Sequence, residues 1–144
     1  MERKFLPVNI SLLTVSDTRV LENDKSGNLL AKKIEDSGHI LLDRSIVKDE
    51  VLGIQKVSKK WINNPEIEVI ISTGGTGLTG RDVSPEAFRS LFDKEIEGFG
   101  ELFRFLSFNK IGTSTIQSRA LAGVSNGTYI FILPGSPSAC KDAW

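Results

Sequence analysis

The sequence predicts an α/β fold, a three-layer sandwich in which a mostly parallel sheet carries helices on both faces. Three observations predict it. Short runs rich in Val, Ile and Leu recur with little alternation, which suits strands covered on both sides. Each such run is followed by a segment with apolar residues at helical spacing, so strand and helix alternate along the chain. With 144 residues, 40% of them hydrophobic, the chain has the size and composition of one compact domain with one core.

Val8 to Val15 is the first predicted strand. Ser26 is placed to cap the helix that follows, Asn28 to Ser37, where Leu30 and Ile34 share one face and Gly38 supplies the stop. His39 to Val47 reads as the second strand. Asp49 to Asn63 reads as the second helix, with Ile54, Val57 and Trp61 at helical spacing and Asn63-Asn64-Pro65 as the breaker. Val69 to Ser72 is a third, short strand that enters a loop with glycine at 74, 75, 77 and 80. Ser84-Pro85-Glu86 then opens a helix: Ser84 as cap, Pro85 where its missing N–H is harmless, Glu86 at the positive helix end. Phe99 to Phe108 is a further helix and Tyr129 to Leu133 the last strand, turned by Pro134-Gly135-Ser136-Pro137 into a terminal helix with Ser136 as cap. Lys110 to Thr128 has mixed periodicity and receives no assignment. The terminal helix meets the last residue, Trp144, after about two turns, which is marginal without packing, so the reading is one domain over 1–144 with an incomplete last helix.

Charge and cysteine usage narrow the function classes. Lys+Arg and Asp+Glu both number 18, so no uniform basic field draws in nucleic acid or an anionic membrane. No apolar run approaches the roughly 20 residues that span a bilayer, and the start of the chain has no continuous apolar signal core. A single cysteine, Cys140, and a single histidine, His39, exclude an internal disulfide and a Cys/His zinc cluster, and a cytoplasmic location is expected. Cys140 reads as packing and His39 as a surface or core residue, because neither belongs to a triad pattern.

In an open parallel sheet, ligands gather beyond the carboxyl ends of the strands, where helix N-termini and loop N–H groups converge. Three loops leave strand ends here: Ser16-Asp17-Thr18-Arg19, Thr73 to Asp82, and Pro134-Gly135-Ser136-Pro137. In the second, the closely spaced glycines let backbone N–H groups approach an anion, and the Thr73, Thr76 and Thr79 hydroxyls are placed to add donors. The alternative is a flexible surface connection. Gly75-Thr76-Gly77-Leu78-Thr79-Gly80 matches the dinucleotide fingerprint G-x-G-x-x-G, but a helix opening inside it would carry Pro85 in its interior at a cost of about 3 kcal/mol. No Lys-Ser or Lys-Thr pair follows the glycines, which excludes a Walker A loop.

Asp82 departs from a plain phosphate cradle, since a carboxylate repels bound phosphates unless a cation lies between them. Mg²⁺ is commonly held by one or two carboxylates together with substrate phosphates, and Asp49, just past the second strand, is placed to supply the other. The alternatives stay open: Asp82 as a helix-start residue or partner of Arg81, Asp49 as the cap of its helix.

Three segments carry a family resemblance: Thr14-Val15-Ser16-Asp17-Thr18-Arg19; Ser72-Thr73-Gly74-Gly75-Thr76-Gly77 with Arg81-Asp82-Val83-Ser84-Pro85-Glu86-Ala87; and Leu133-Pro134-Gly135-Ser136-Pro137. They resemble the molybdopterin-binding domain shared by molybdopterin adenylyltransferase, the gephyrin G domain and molybdenum cofactor biosynthesis protein B. Glu97-Gly98-Phe99-Gly100-Glu101 and Gly112-Thr113-Ser114-Thr115 through Ser118-Arg119 are similar to the protein B branch. The resemblance implies that molybdopterin is the ligand, and that AMP is transferred from ATP with Mg²⁺ onto its terminal phosphate. It implies Asp49 and Asp82 as the catalytic and metal-holding carboxylates. The glycine loop, Thr73, Gly74, Gly75, Thr76 and Gly77, is then the nucleotide and phosphate contact, with Ser16, Asp17, Pro134, Gly135, Ser136 and Pro137 as the remaining pocket walls. A carrier or scaffold that binds the pterin without chemistry needs nearly the same loops and is the alternative. The resemblance also implies a homotrimer or homohexamer, with other cofactor-biosynthesis proteins as further partners.

The segment Phe99 to Phe108 bears on assembly. At about 100° per residue, Phe99, Leu102, Phe103 and Leu106 form one stripe suited to the domain's own core, which leaves Phe105 and Phe108 on the other side as candidate interface residues.

Overall fold

Asn9–Val15 forms the first strand, β1, and all but its first residue are buried, as expected of a strand covered on both faces. The structure, a computed structural model, describes residues 2–144. After β1 come α1 (Lys25–Asp36), β2 (Ile40–Val47), α2 (Val51–Ile62), β3 (Val69–Thr73), α3 (Ser84–Arg89), β4 (Lys94–Glu95), α4 (Glu97–Ile111), β5 (Leu121–Ser125), β6 (Thr128–Leu133) and α5 (Pro137–Ala143). Short 3-10 turns occupy Leu21–Asn23 and Gly112–Gln117.

The six strands lie in the order β2-β1-β3-β6-β5-β4. The pairs β2–β1, β1–β3 and β3–β6 are parallel, while β5 runs antiparallel to both of its neighbours. On one face, Ile54, Trp61 and Phe88 from α2 and α3 pack with Leu13, Ile70 and Ile130. On the other, Leu30 and Ile34 from α1 and Cys140 from α5 pack with Ile10, Leu12 and Ile71. The three layers follow from these two clusters. Because α1 and α2 lie on opposite faces, the chain reverses direction across the sheet between β1 and β3, and the loops leaving those two strands part to open a crevice.

Several local expectations change. The cap of α1 is Asp24, whose carboxylate accepts the Gly27 N–H, not Ser26. Ser26 lies inside the first turn and donates its hydroxyl to the Gly135 carbonyl at 2.6 Å, tying the loop after β6 to α1. Ser84 is the first helical residue of α3 rather than its cap, because its hydroxyl is drawn to the Gly74 carbonyl at 2.8 Å. Ser136 does cap α5, accepting the Ala139 N–H at 3.1 Å. Gly38, at φ +85, ends α1 as expected. His39 is structural: its Nδ1 accepts the Val8 N–H at 3.1 Å and its ring lies against Phe5 and Trp144.

The unassigned stretch contains the end of α4, a 3-10 turn, β5 and a tight hairpin. Asn126 (φ 48) and Gly127 (φ 80) form a two-residue turn with both residues at positive φ, which matches the right-handed twist of the flanking strands. The hairpin extends the sheet beyond β6, and α4 turns Gly100, Phe103 and Ser107 inward, so that of the expected stripe Phe103 is buried and Phe99 packs against the core. Leu102 and Leu106, expected in the core, are 59% and 44% exposed, alongside Phe105 at 68% and Phe108 at 52%. The rotation has a local cause: a side chain at Gly100 would stand 2.5 Å from the Ala120 carbonyl, so α4 approaches β5 along its small residues. Among the described residues no helix is long and apolar enough to cross a membrane.

Asp24 holds the start of this architecture together. Its fully buried carboxylate accepts the Thr14 hydroxyl at 2.6 Å, the Gly27 N–H at 3.0 Å and the Arg44 guanidinium at 3.2 Å, joining β1, α1 and β2. Asp24→Ala leaves the buried Thr14 hydroxyl and Gly27 N–H without their acceptor and Arg44 with Asn28 alone, and a loss of about 3 kcal/mol in urea unfolding is expected, with a smaller loss for Asp24→Asn.

Candidate functional site

Because β1, β2, β3 and β6 are mutually parallel, their carboxyl ends meet on one side of the sheet and bring together the Ser16-Asp17 loop, Asp49, the glycine loop and the Pro134-Gly135 loop. A cavity of about 220 Å³ lies at the crevice, lined among others by Ser16, Asp49, Thr73, Gly74, Gly75 and Gly135. It continues past Ser16 and Arg19 into a more open groove of about 620 Å³, walled by Asp17, Leu21, Arg44, Ile46 and Lys48.

Two consecutive glycines shape the floor. Gly74 (φ +96) and Gly75 (φ +69) both occupy the left-handed region, and a Cβ on either would collide: 2.3 Å from the Val15 carbonyl at Gly74, 2.4 Å from Ser84 Oγ and 2.7 Å from Asp49 Oδ1 at Gly75. A Cβ on Gly77 would stand 2.6 Å from Asp82 Oδ2. These glycines therefore let the backbone close around the two carboxylates. The helix starts at Ser84 and not within the glycines, which agrees with the rejection of a dinucleotide fingerprint.

The threonine hydroxyls are engaged differently from expectation. Thr73 donates to the Pro134 carbonyl at 2.8 Å and lies 3.3 Å from Cys140 Sγ; Thr79 donates to Asp82 Oδ2 at 2.7 Å. Both shape the loop and neither is free for a ligand. Thr76 is buried. Pro134 is an acceptor for Thr73, and Ser136 and Pro137 serve the start of α5. Cys140 is fully buried and burial raises its thiol above the ordinary value, in keeping with a packing role.

Three carboxylates share the crevice mouth in different states. Asp17 accepts the Arg81 guanidinium at 2.6 Å and the Asp49 N–H at 3.1 Å, and these bonds, Arg81 first, lower its pKa. Asp82 accepts the Thr79 hydroxyl and N–H, which likewise lower its pKa. Asp49 is the opposite case: burial, then the charges of Asp17 and Asp82, raise its pKa, and its Oδ1 is buried with no hydrogen-bond partner. The helix-cap alternative for Asp49 fails, since Glu50 occupies that position and no side chain caps α2. The pairing of Arg81 is with Asp17, not with Asp82.

One residue was singled out in sequence without a role. Arg119, just before β5, donates to the carbonyls of Thr76, Gly77 and Asp82 and pairs with Glu86. Its distance in sequence from the loop leaves no spacing signal by which to find it.

The family described as "Probable molybdopterin binding domain" matches residues 11–144. Molybdenum cofactor biosynthesis protein B of Escherichia coli (strain K12) is 50% identical over 141 residues, which cover 98% of this chain and 83% of that protein. The chain belongs to the molybdopterin-binding family of molybdenum cofactor biosynthesis. A crystal structure of molybdenum cofactor biosynthesis protein B superposes with a TM-score of 0.94 at 41% identity, covering 98% of this chain and 88% of that one. The tungsten cofactor synthesizing protein MoaB from Pyrococcus furiosus gives 0.86 at 34% identity, covering 95% and 88%. The molybdopterin-binding fold thus accounts for the whole three-layer arrangement, including the antiparallel hairpin that periodicity did not reveal.

Among the described residues no group of three or more His, Cys, Asp or Glu side chains is placed to hold a metal ion, so a cation at this crevice would draw on few protein ligands. The Asp49 oxygen, a buried carboxylate oxygen without a donor on which the charges of Asp17 and Asp82 act, is what a hard cation would satisfy. Asp49 and Asp82 are the residues that would hold it.

Substitution of the glycines tests the geometry. Gly74→Ala is expected to destabilise the domain by more than about 1 kcal/mol, from backbone conformation and overlap together, as read by urea unfolding. Gly53→Ala, in α2 with open space where the Cβ would go, is expected to stabilise it by about 0.5–1 kcal/mol in the same assay.

Proposed function

We infer that this domain binds molybdopterin and transfers AMP from Mg²⁺-bound ATP to its terminal phosphate. The observation that carries the reading is the unpartnered buried carboxylate oxygen of Asp49 beside the glycine loop, with Asp82 close enough to act on it through its charge. A site that only cradled phosphates would be poorer for these carboxylates. Mg²⁺, when bound, neutralises phosphate charge and orients the α-phosphate for displacement.

The chain's own residues have separable tasks. Asp49 and Asp82 hold the cation, and the loop from Gly74 to Gly77 presents backbone to the nucleotide phosphates. Ser16, Asp17 and Gly135 bound the crevice, while Pro134, Ser136 and Pro137 set its rim. In the reaction an oxygen of the molybdopterin phosphate attacks the α-phosphorus of ATP, the new P–O bond forms as the bond to pyrophosphate breaks, and pyrophosphate leaves. Such a transfer needs positioning and charge neutralisation more than a protein nucleophile, in keeping with the absence of a Ser-His or Cys-His pair around this crevice.

A second reading, a carrier that binds the pterin without chemistry, draws on the size of the crevice. Its 220 Å³ lies below the roughly 300 Å³ of common small-molecule pockets, so one ligand must extend into the open groove. Calorimetric titration separates the two: micromolar Mg²⁺-ATP binding together with molybdopterin binding favours the enzyme, and pterin binding without ATP favours the carrier. Incubation with molybdopterin, Mg²⁺ and ATP is expected to yield adenylylated pterin and pyrophosphate. Asp82→Asn is expected to slow turnover at least about 100-fold with the fold retained; an unchanged rate would remove Asp82 from the mechanism.

The exposed row Leu102, Phe105, Leu106 and Phe108 on α4 supports assembly into a homotrimer or homohexamer. Light scattering is expected to give three or six times the 15.8 kDa chain mass. Phe105→Glu with Phe108→Glu is expected to lower that mass while circular dichroism stays native; a wild-type monomer at tens of micromolar would overturn the assignment.

A further inference from the structure

Arg119 lies outside every motif that the proposed chemistry uses, yet one guanidinium there gathers much of the glycine loop. Its Nε donates to the carbonyls of Thr76 at 3.0 Å and Gly77 at 3.1 Å. Its Nη2 donates to Gly77 at 2.7 Å and to the Asp82 carbonyl at 3.1 Å, and its Nη1 pairs with Glu86 of α3. The two ends of the segment 76–82 are thereby joined through one planar group. The side chain is 28% exposed, so these bonds are partly shielded from competing water.

We propose that Arg119 is the positioning residue of the glycine loop: its fork closes Thr76 to Asp82 into a ring and so fixes where the Asp82 carboxylate points. The carbonyls of Thr76, Gly77 and Asp82 all take bonds from this one side chain. Inside the ring, the Asp82 carboxylate is held by the Thr79 hydroxyl and N–H, at 2.7 and 3.0 Å, with a further backbone bond from Gly77. Arg119 is itself anchored on both sides, because Arg104 of α4 donates to the carbonyls of Ser118 at 3.3 Å and Ala120 at 3.2 Å. A lysine keeps the charge but is a point donor without the fork, so it cannot span three carbonyls. That difference separates positioning by geometry from a simple effect of positive charge.

The part of this inference that concerns Asp82 rests on the reading of Asp82 as a cation contact; the part that concerns loop closure does not. Two measurements on the full chain keep them apart. NMR order parameters for the amides of 76–82 are expected to fall from about 0.85 to below about 0.6 in both Arg119→Ala and Arg119→Lys, with β1 and β3 unchanged. Mn²⁺ affinity, followed by loss of the free-ion paramagnetic resonance signal, is expected to drop about 10-fold or more in both variants, and added guanidinium ion is expected to restore part of it in Arg119→Ala but not in Arg119→Lys. Should Arg119→Ala fail to fold, Arg119→Lys still gives the decisive comparison. Wild-type order in the loop of either variant, or an Arg119→Lys protein that binds Mn²⁺ like wild type, would overturn the proposal. Wild-type protein that binds no Mn²⁺ would count against the cation site, while the order parameters would still decide the role of Arg119.

Discussion

At the floor of the crevice Gly74 lies against the end of β1, where the space for a Cβ is already taken by the Val15 carbonyl. That single constraint organises the loops around it. With Gly74 pressed into place, its N–H reaches the Leu133 carbonyl at 3.1 Å and extends the β3–β6 ladder beyond Thr73. Its own carbonyl takes the Ser84 hydroxyl, and the next carbonyl, Gly75, takes the Ser84 N–H, which sets where α3 begins. Thr73 and Ser26 then hold the Pro134-Gly135 loop from two sides. The crevice between β1 and β3 owes its existence to topology, but its width is set by how far these glycines let the chain descend.

Charge is distributed so that the carboxylates do different things in little space. Asp17 has the guanidinium of Arg81 and the N–H of Asp49; Asp82 has Thr79; Asp24, deeper, has Thr14, Gly27 and Arg44. Each of these is satisfied and structural in at least one of its bonds. Arg119 adds cationic charge near Asp82 but spends its donors on carbonyls, so the electrostatic help does not occupy the carboxylate itself. Among the described carboxylates, Asp49 is the one with a buried oxygen that has nothing to accept from.

Much of this was legible in the sequence. The strand and helix order through β3, the terminal strand and its cap, and the convergence of three loops at one end of the sheet follow from periodicity and turn chemistry, which are local. The hairpin of β5 and β6 was legible too, since Asn126-Gly127 is a strong two-residue turn signal, but it stood in a stretch whose glycines masked the alternation on either side. The facing of α4 was not legible. The stripe of Phe99, Leu102, Phe103 and Leu106 is only one of the apolar faces that the spacing offers, and the facing is set by Gly100 against Ala120, a contact across 20 residues of chain. The same holds for Arg119, whose acceptors lie about 40 residues earlier and are backbone carbonyls, which carry no sequence identity. Ser26 and Ser84 were misread as caps for a related reason: both hydroxyls found carbonyl partners on other loops, and capping rules see only the local N–H groups.

The state of Asp49 bears on why a binding domain would keep this arrangement. Burying a carboxylate oxygen without a donor costs free energy, and two neighbouring carboxylates add to the cost by repelling the charged form. Replacing Asp49 with a neutral residue would relieve both effects and would also remove a charge that repels any phosphate entering the crevice. For a protein that only carries an anionic pterin, that exchange would improve stability and affinity together. A cation would reverse the balance: it would supply the missing partner of Asp49, offset the charge of its neighbours and screen them from the phosphates it brings along. An arrangement that is unfavourable for Asp49 among protein groups alone would be favourable beside a cation, which is the physical support for the proposed reading of a metal-bound nucleotide beside the pterin phosphate.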